Sequence, residues 1–173
     1  MNERRKTSGG DGTSSGSEGA GESLANLAKA LVQAGGVSSL STMSQKHSGY
    51  PFGSVVPYAI DSAGNPIFLM SQMATHTKNL RSHSQATLLV AENSGLPLSA
   101  ARVSLIGDIA KVTDDSRQVV AEAYLAKHPE SKQWMSFGDF DFYRMTIKDI
   151  YFIGGFGVMG WVKPEDYVAA QKS

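Results

Sequence analysis

The chain has 173 residues, no cysteine, and 16 basic against 16 acidic side chains, so its formal net charge is zero. One domain is the default at this length, and the absence of cysteine excludes a disulfide scaffold, thiol catalysis and cysteine-ligated metal clusters. Zero net charge argues against a general nucleic-acid binder, because neutralising phosphates needs a surplus of lysine and arginine. A pocket for a single phosphate group remains compatible with this composition.

The first 22 residues are rich in glycine and poor in apolar side chains. Six glycines lie between Gly9 and Gly21, and no aliphatic side chain larger than alanine occurs between them. Such a segment cannot bury enough apolar surface to offset the entropy of ordering it, so we predict a disordered tail over 1–22 and one domain over 23–173. A secretory signal and a membrane-spanning helix each need a long apolar run, and the sequence contains none. For this reason, we predict neither. We therefore expect a soluble, cytoplasmic protein without a membrane partner.

Apolar spacing predicts one helix and three strands in the first part of the domain. Ser23 is a suitable N-cap for a helix whose leucines recur at helical spacing and whose pattern ends at Gly35. Three β-like runs follow, separated by polar turns, and we predict that they form an antiparallel meander. These runs cover residues 37–43, 52–60 and 67–71.

The second part of the domain continues this alternation of short strands and small helices. A hydroxyl cap at Thr75 begins a short helix, and a bulge or bend is expected at Gly107 within a strand. The further elements are strands over 86–91, 102–112 and 142–153, a helix from Asp114 to about His128, and a helical turn over 164–170. Short strands with helices at the corners predict a mainly β (α+β) fold, a closed or partly closed antiparallel barrel.

Three apparent motifs do not meet the conditions that their chemistry requires. Residues 155–160 match G-x-G-x-x-G, but only 13 residues follow, so no βαβ unit can form and the glycines are expected to serve a tight turn. His76 and His83 lack carboxylates at metal-ligand spacing, so no metal site is predicted. Asp139 and Asp141 alternate with phenylalanines, which is more typical of a strand edge than of a catalytic carboxylate pair.

Polar residues at one predicted helix start form the strongest candidate site. A strand ending at Met70 and Ser71 leads through a loop into a first helical turn that contains Thr75, His76, Thr77, Lys78 and Asn79. Free backbone N–H groups, two hydroxyls, an imidazole and an ammonium group together suit a phosphate dianion. The alternative is an ordinary capped helix with a solvated lysine, which the local sequence favours slightly.

Three groups of motifs resemble a known family in their combination and order. They are GYPFGSVVPY over 49–58, FLMS with HTKNLR over 68–81, and RVSLIG over 102–107. They resemble the FMN-binding split-barrel family, the pyridoxamine 5′-phosphate oxidase-like group. Further short segments are similar to its haem-utilisation (HugZ-type) branch, namely His128-Pro129, 138–144, and 154–157 with Trp161. The resemblance covers about residues 24–167.

The resemblance implies a six-stranded antiparallel split β-barrel with short peripheral helices. It also implies a homodimer with two cofactor pockets at the subunit interface. The residues that match the family's cofactor contacts fall into three groups: Gly53, Ser54, Val55 and Tyr58 along the flavin; Met70, Ser71, Thr75, His76, Thr77, Lys78 and Asn79 at its phosphate; and Arg102, which reaches the cofactor from the partner subunit.

Two hypotheses about function follow. Gly53 and Tyr58 stand where true pyridoxamine phosphate oxidases carry basic residues, and their C-terminal substrate motif is missing, so vitamin B6 oxidation is not expected. The first hypothesis is an FMN-binding, flavin-dependent oxidoreductase for a small molecule, in which no residue is identified as a proton donor. The second is a haem-binding or haem-utilisation protein, with His76 as iron ligand and Arg102 as propionate partner. Deazaflavin cofactors also occur in relatives of this fold.

Overall fold

The computed structural model describes residues 18–93, 99–155 and 157–170, which form helices and strands in alternation. In chain order the elements are α1 (Glu18–Ala34), β1 (Val37–Met43), β2 (Pro51–Pro57), β3 (Ala59–Ile60), β4 (Pro66–Ser71), α2 (Thr75–Ser82), β5 (Gln85–Ala91), β6 (Arg102–Lys111), α3 (Asp114–Lys127), a 3₁₀ helix (Pro129–Ser136), β7 (Phe140–Ile153), β8 (Met159–Val162) and α4 (Pro164–Ala169). The predicted strands at 86–91, 102–112 and 142–153 are thus confirmed to within two residues at each end.

The strands form one antiparallel sheet that curls into a half-open barrel. Its strand order is β2-β1-β5-β6-β7-β4-β3, and β8 pairs with the end of β7. The strands β3 and β8 contain only two and four residues, so the other six make up most of the barrel. This architecture confirms the predicted six-stranded split barrel.

The predicted meander of the first three strand segments is wrong, because Tyr58 interrupts the second of them. The strand β2 pairs with β1, whereas β3 pairs with β4 at the opposite edge of the sheet. The Tyr58 N–H donates to Gly36 O at 2.9 Å, and Tyr58 O accepts from His128 Nε2 at 2.8 Å. These long-range bonds replace ladder bonds, and they leave a seam between β2 and β4 across which no strand pairing occurs in the described residues.

The helix α1 closes the interior of the half-barrel. Ala25, Ala28 and Val32 are fully buried on its inner face and pack with the residues of the barrel core. The helix begins at Glu18, so Ser23 lies within it and does not cap it, contrary to the prediction. The rest of the predicted tail, residues 1–17, lies outside the described residues.

The strand β4 is buried on both faces and separates two hydrophobic cores. Phe68 and Met70 belong to the core inside the barrel, whereas Ile67 and Leu69 belong to a second core under α3. Tyr124 of α3 is fully buried in that second core. This packing fixes the end of α3, and the 3₁₀ helix that follows it, beside the seam.

The glycines at 155 and 157 form the turn between β7 and β8. Gly155 and Gly157 adopt φ angles of 109° and 83°, which side chains rarely adopt, and Gly160 lies within β8. The G-x-G-x-x-G match therefore joins two antiparallel strands, which confirms that it is not a dinucleotide-binding loop. Phe156 lies outside the described residues. Across the parts of the chain that are described, no helix is long and apolar enough to cross a membrane.

Gly107 lies at the predicted bulge, where the register of β6 against β7 shifts between Ile106 and Gly107. A Cβ atom at Gly107 would clash with the carbonyl oxygen of Thr146. We expect Gly107→Ala to lower the free energy of unfolding by about 1–3 kcal/mol, the usual cost of overpacking, as measured by urea unfolding. Gly53→Ala is the matched control, because no atom lies within 4 Å of its added Cβ. Equal effects of the two substitutions would contradict this account of the bulge.

Candidate functional site

A cavity of about 400 Å³ lies at the seam between β2 and β4, and we call it the seam cavity. One wall comes from the barrel and the start of α2, and it comprises Val55, Val56, Pro57, Leu69, Met70, Ser71, Ala74 and His76. The other wall comes from the end of α3, the 3₁₀ helix and the start of β7, and it comprises Tyr124, Glu130, Ser131, Trp134 and Phe140. Most of this lining is apolar or aromatic. The cavity therefore suits a largely apolar ligand with few polar contacts.

His76 contributes the imidazole of the seam cavity. Its Nδ1 atom lies 3.2 Å from Ser54 Oγ on β2, and the ring is half-buried. Burial lowers the pKa of the imidazole below its ordinary value of 6.5, so the neutral ring dominates at pH 7. No described residue bonds to Nε2, so in the tautomer in which Nδ1–H donates to Ser54 Oγ, the Nε2 lone pair is free to coordinate a metal ion. The sequence prediction of a site residue at His76 thus coincides with a cavity.

Three other predicted site residues border the same cavity. Val55 is exposed on β2, and Met70 is almost fully buried at the end of β4. Ser71 Oγ donates to Asp139 Oδ2 at 2.7 Å and accepts from the Met73 N–H at 3.1 Å. Its hydroxyl therefore holds the turn before α2. Gly53 lies further along β2, in the open.

The predicted phosphate cluster is only partly assembled. The N-cap of α2 is Ala74 and no side chain caps the helix, so the prediction of a hydroxyl cap at Thr75 is wrong. Thr75 and Lys78 are exposed, whereas Thr77 and Asn79 face the barrel and are almost fully buried. The helical turn thus separates side chains that are adjacent in sequence.

Asn79 and Thr77 differ in how their buried polar atoms are satisfied. Asn79 Oδ1 accepts from the Gln45 N–H at 2.9 Å, and Asn79 Nδ2 donates to Thr42 Oγ1 at 3.0 Å. The Asn79 amide therefore joins α2 to the end of β1. The Thr77 hydroxyl, in contrast, has no hydrogen-bond partner among the described residues.

Thr77→Val is expected to raise the free energy of unfolding by about 1 kcal/mol. The substitution removes a buried hydroxyl without a partner and keeps the shape of the side chain. Thr42→Val is the matched control, because Thr42 Oγ1 accepts from Asn79 and donates to Phe52 O, and we expect it to lower stability. Urea unfolding measures both. A loss of stability in Thr77→Val would mean that its hydroxyl has a partner.

Tyr58 and Arg102, both predicted site residues, also lie outside the lining of the seam cavity. Tyr58 is fully buried, its hydroxyl donates to Val32 O at 2.7 Å, and burial raises the pKa of that hydroxyl, with a smaller contribution from Tyr167. Arg102 begins β6 opposite Ala91, at the end of the sheet farther from α2. The strand pairing between Arg102 and Asp108 spans about 20 Å at ~3.3 Å per residue. Within one subunit, Arg102 therefore does not meet the residues of α2.

The second wall of the seam cavity was not predicted as part of a site. No site role was predicted from the sequence for Trp134, Phe140 or Tyr124. Trp134 and Phe140 belong to a group of aromatic residues that follows Pro129, where the 3₁₀ helix begins, whereas Tyr124 precedes it on α3. That grouping does not indicate which cavity the rings line, because the packing of α3 on β4 decides it.

Together the fold and the cavity define a split-barrel protein with an imidazole-bearing pocket at its open seam. The chain matches the CREG β-barrel family over residues 20–169, and it belongs to that family. It is 39% identical to the chloroplastic non-canonical haem oxygenase HOZ of Arabidopsis thaliana over 140 residues, which cover 76% of this chain and 42% of HOZ. The chain thus spans about two fifths of that relative.

Solved structures with this fold include haem-binding proteins. A haem-binding protein from Mycobacterium smegmatis superposes with a TM-score of 0.79 at 26% identity, covering 86% of this chain and 61% of that chain. The haem storage protein HutZ of Vibrio cholerae gives a TM-score of 0.63 at 20% identity, covering 80% of this chain and 96% of that chain. Pyridoxamine 5′-phosphate oxidase-like structures share the fold as well. These findings confirm the resemblance stated from the sequence motifs.

Proposed function

We propose that this protein binds haem in the seam cavity, with His76 as the iron ligand. One observation carries the proposal. The neutral His76 imidazole opens into an apolar, aromatic-lined cavity while Ser54 Oγ lies at its Nδ1. A hydrogen bond at one ring nitrogen orients the other for a metal, and neutral imidazole is a common ligand of haem iron.

The residues of the seam cavity fit a haem group in chemistry. Its walls supply apolar and aromatic contacts from Val55, Leu69, Trp134 and Phe140, which match the faces of a porphyrin. Bound haem would supply redox-active iron, and the chain would supply the His76 nitrogen as a ligand and apolar walls that exclude water. The identity to HOZ and the structural match to the Mycobacterium smegmatis protein support this choice of ligand.

Titration of the purified protein with haemin tests the proposal. We expect a saturable shift of the Soret band at one haemin per chain. A second step adds a reductant in air, because the relative HOZ is a haem oxygenase and the proposal extends to oxidative opening of the bound ring. Loss of the Soret band with appearance of an open tetrapyrrole would support that extension. Haemin binding no tighter than to an unrelated protein of the same size would contradict the proposal.

FMN is the second candidate ligand, because α2 begins uncapped at the edge of the seam cavity. No side chain caps this helix, so the first backbone N–H groups remain open to an anion such as a phosphate. Exposed Thr75 and Lys78 lie on the same first turn, whereas buried Thr77 does not face solvent. In this reading the protein would be an FMN-dependent oxidoreductase, with Ser54 and Val55 along the ring.

Quenching of flavin fluorescence tests this second candidate. If FMN binds at α2, Lys78→Ala should weaken its binding by about 1.5–3 kcal/mol, the scale of a hydrogen bond to a charged group. Lys148→Ala is the matched control, since Lys148 is a largely exposed lysine on β7. A deazaflavin titrated in parallel separates the two ring systems. FMN affinity unchanged by Lys78→Ala would contradict the phosphate position.

We also propose that the chain forms a homodimer through the outer face of the sheet. One row of paired residues crosses six strands on this face, and it runs Val55, Ser39, Leu89, Ser104, Tyr151 and Trp161. Neighbouring positions on the face add the exposed side chains of Val37, Ile106 and Met159. A broad exposed apolar surface of this kind is typical of a protein–protein interface.

Arg102 lies on the same outer face, between Ala91 and Ile153. In a dimer through this face it would approach the partner's cavity, where a propionate or a flavin could meet its guanidinium. Sedimentation analysis tests the dimer, and Leu89→Asp combined with Ile106→Asp should convert it to a monomer. A monomeric wild-type protein would contradict the proposal.

The cytoplasmic location of the protein stays a prediction from the sequence.

A further inference from the structure

The wall of the seam cavity that comes from α3, the 3₁₀ helix and β7 contains a cluster of aromatic rings. The Trp134 ring centroid lies 5.8 Å from that of Phe137 and 6.1 Å from that of Phe140. Trp134 and Phe140 line the cavity, whereas Phe137 does not. Trp134 is 44% exposed, although a tryptophan of purely structural use is usually well buried. Trp134 therefore combines a place in the cavity lining with a side chain that is not fully covered by the chain.

The element that carries Trp134 is held in place at its start. Pro129 begins the 3₁₀ helix, and the preceding His128 donates from Nε2 to Tyr58 O at 2.8 Å, next to the seam. The His128 ring also packs on Tyr124 with a centroid distance of 5.0 Å, and its Nδ1 lies 3.4 Å from Glu130 Oε1. These contacts join the 3₁₀ helix to β2, β3 and α3. The segment that carries Trp134 is thus anchored at its start, beside the seam.

We infer that Trp134 is a specificity-determining residue that selects ligands with a large planar ring, an inference that rests on the proposed haem binding. The Trp134 indole is only partly covered and lies at an apolar cavity. It can therefore stack with a planar ligand in that cavity. Aromatic pairs contribute about 0.5–1.5 kcal/mol beyond the burial of their area, in offset or tilted geometry. Phe140, which also lines the cavity, lies beside the indole with an angle of 30° between the two ring planes. The wall therefore favours planar aromatic ligands whether or not they carry a metal.

Metal-free protoporphyrin IX separates this role of Trp134 from iron ligation by His76. We expect Trp134→Leu to weaken the binding of haemin and of protoporphyrin IX alike, each by about tenfold, which corresponds to ~1.4 kcal/mol. Trp134→Phe keeps a ring and should weaken each by less than threefold. His76→Ala should weaken haemin far more than protoporphyrin IX. Tyr50→Leu is the matched control, because Tyr50 is an exposed aromatic residue that does not line the seam cavity.

The outcomes distinguish this inference from the proposal on which it rests. Tight binding of both porphyrins with no change in Trp134→Leu would overturn the inference alone. A loss confined to haemin would overturn it too, because it would place Trp134 at the iron instead of the ring face. Failure of the wild-type chain to bind either porphyrin would contradict the proposed haem binding and the inference together. Recovery of affinity in Trp134→Phe shows that Trp134→Leu acts through the ring and not through misfolding.

Discussion

Replacing Asn79 by alanine is expected to lower the free energy of unfolding by about 2–4 kcal/mol. Only 1% of Asn79 is exposed, and its amide makes two bonds, to the Gln45 N–H and to Thr42 Oγ1. Alanine would leave the Gln45 N–H without its acceptor and the buried Thr42 hydroxyl with only its bond to Phe52 O, and it would open a small cavity between α2 and β1. Urea unfolding followed by circular dichroism measures the loss.

Lys78→Ala is the matched control for Asn79→Ala, since the exposed Lys78 precedes Asn79 on the same helix. We expect it to change stability by less than about 0.5 kcal/mol, as surface substitutions usually do. Asn79 also fixes the helix that carries His76, so Asn79→Ala should weaken ligand binding in the seam cavity. A stability change in Asn79→Ala as small as that in Lys78→Ala would contradict the structural assignment of this amide.

His76→Ala is expected to weaken haemin binding by about 100-fold or more, because a direct ligand contributes at least as much as the groups that orient it. Ser54→Ala should have a smaller effect, about tenfold, since Ser54 Oγ lies 3.2 Å from Nδ1 and acts only through the orientation of the ring. Soret titrations measure both affinities.

His83→Ala is the control for these two variants, because His83 is an exposed histidine directly after α2. Its haemin affinity should equal that of the wild-type protein. If His83→Ala and His76→Ala weakened haemin binding equally, this would contradict the assignment of His76 in the seam cavity as the iron ligand.

Much of the fold could be predicted because strand periodicity and turn residues are local signals. Residues 37–43 form a strand, as their β-like run predicts, and the bulge at Gly107 follows from a glycine within an apolar run. The break at Tyr58 could not be predicted in this way. It depends on His128, which is 70 residues away in sequence, and on Gly36 at the end of α1.

The candidate site was predicted in part, for a geometric reason. Residues 75–79 form one polar run in the sequence, but an α-helix rotates by about 100° per residue, so neighbours point in different directions. His76 therefore faces the seam cavity, Thr77 and Asn79 face the barrel, and Lys78 faces solvent. The position of the wall that contains Trp134 is set by the packing of α3 against β4. No local pattern near residue 76 predicts that position.

The most direct test of the central claim is rescue by imidazole in the haemin complex of His76→Gly. This variant removes the side chain that is proposed to bind iron and leaves space for a free imidazole molecule. We predict that haemin bound to His76→Gly has an absorption and electron paramagnetic resonance spectrum different from that of the wild-type complex. Added imidazole should restore the wild-type spectrum. A His76→Gly complex whose spectrum equals that of the wild-type protein before imidazole is added would contradict His76 as the iron ligand.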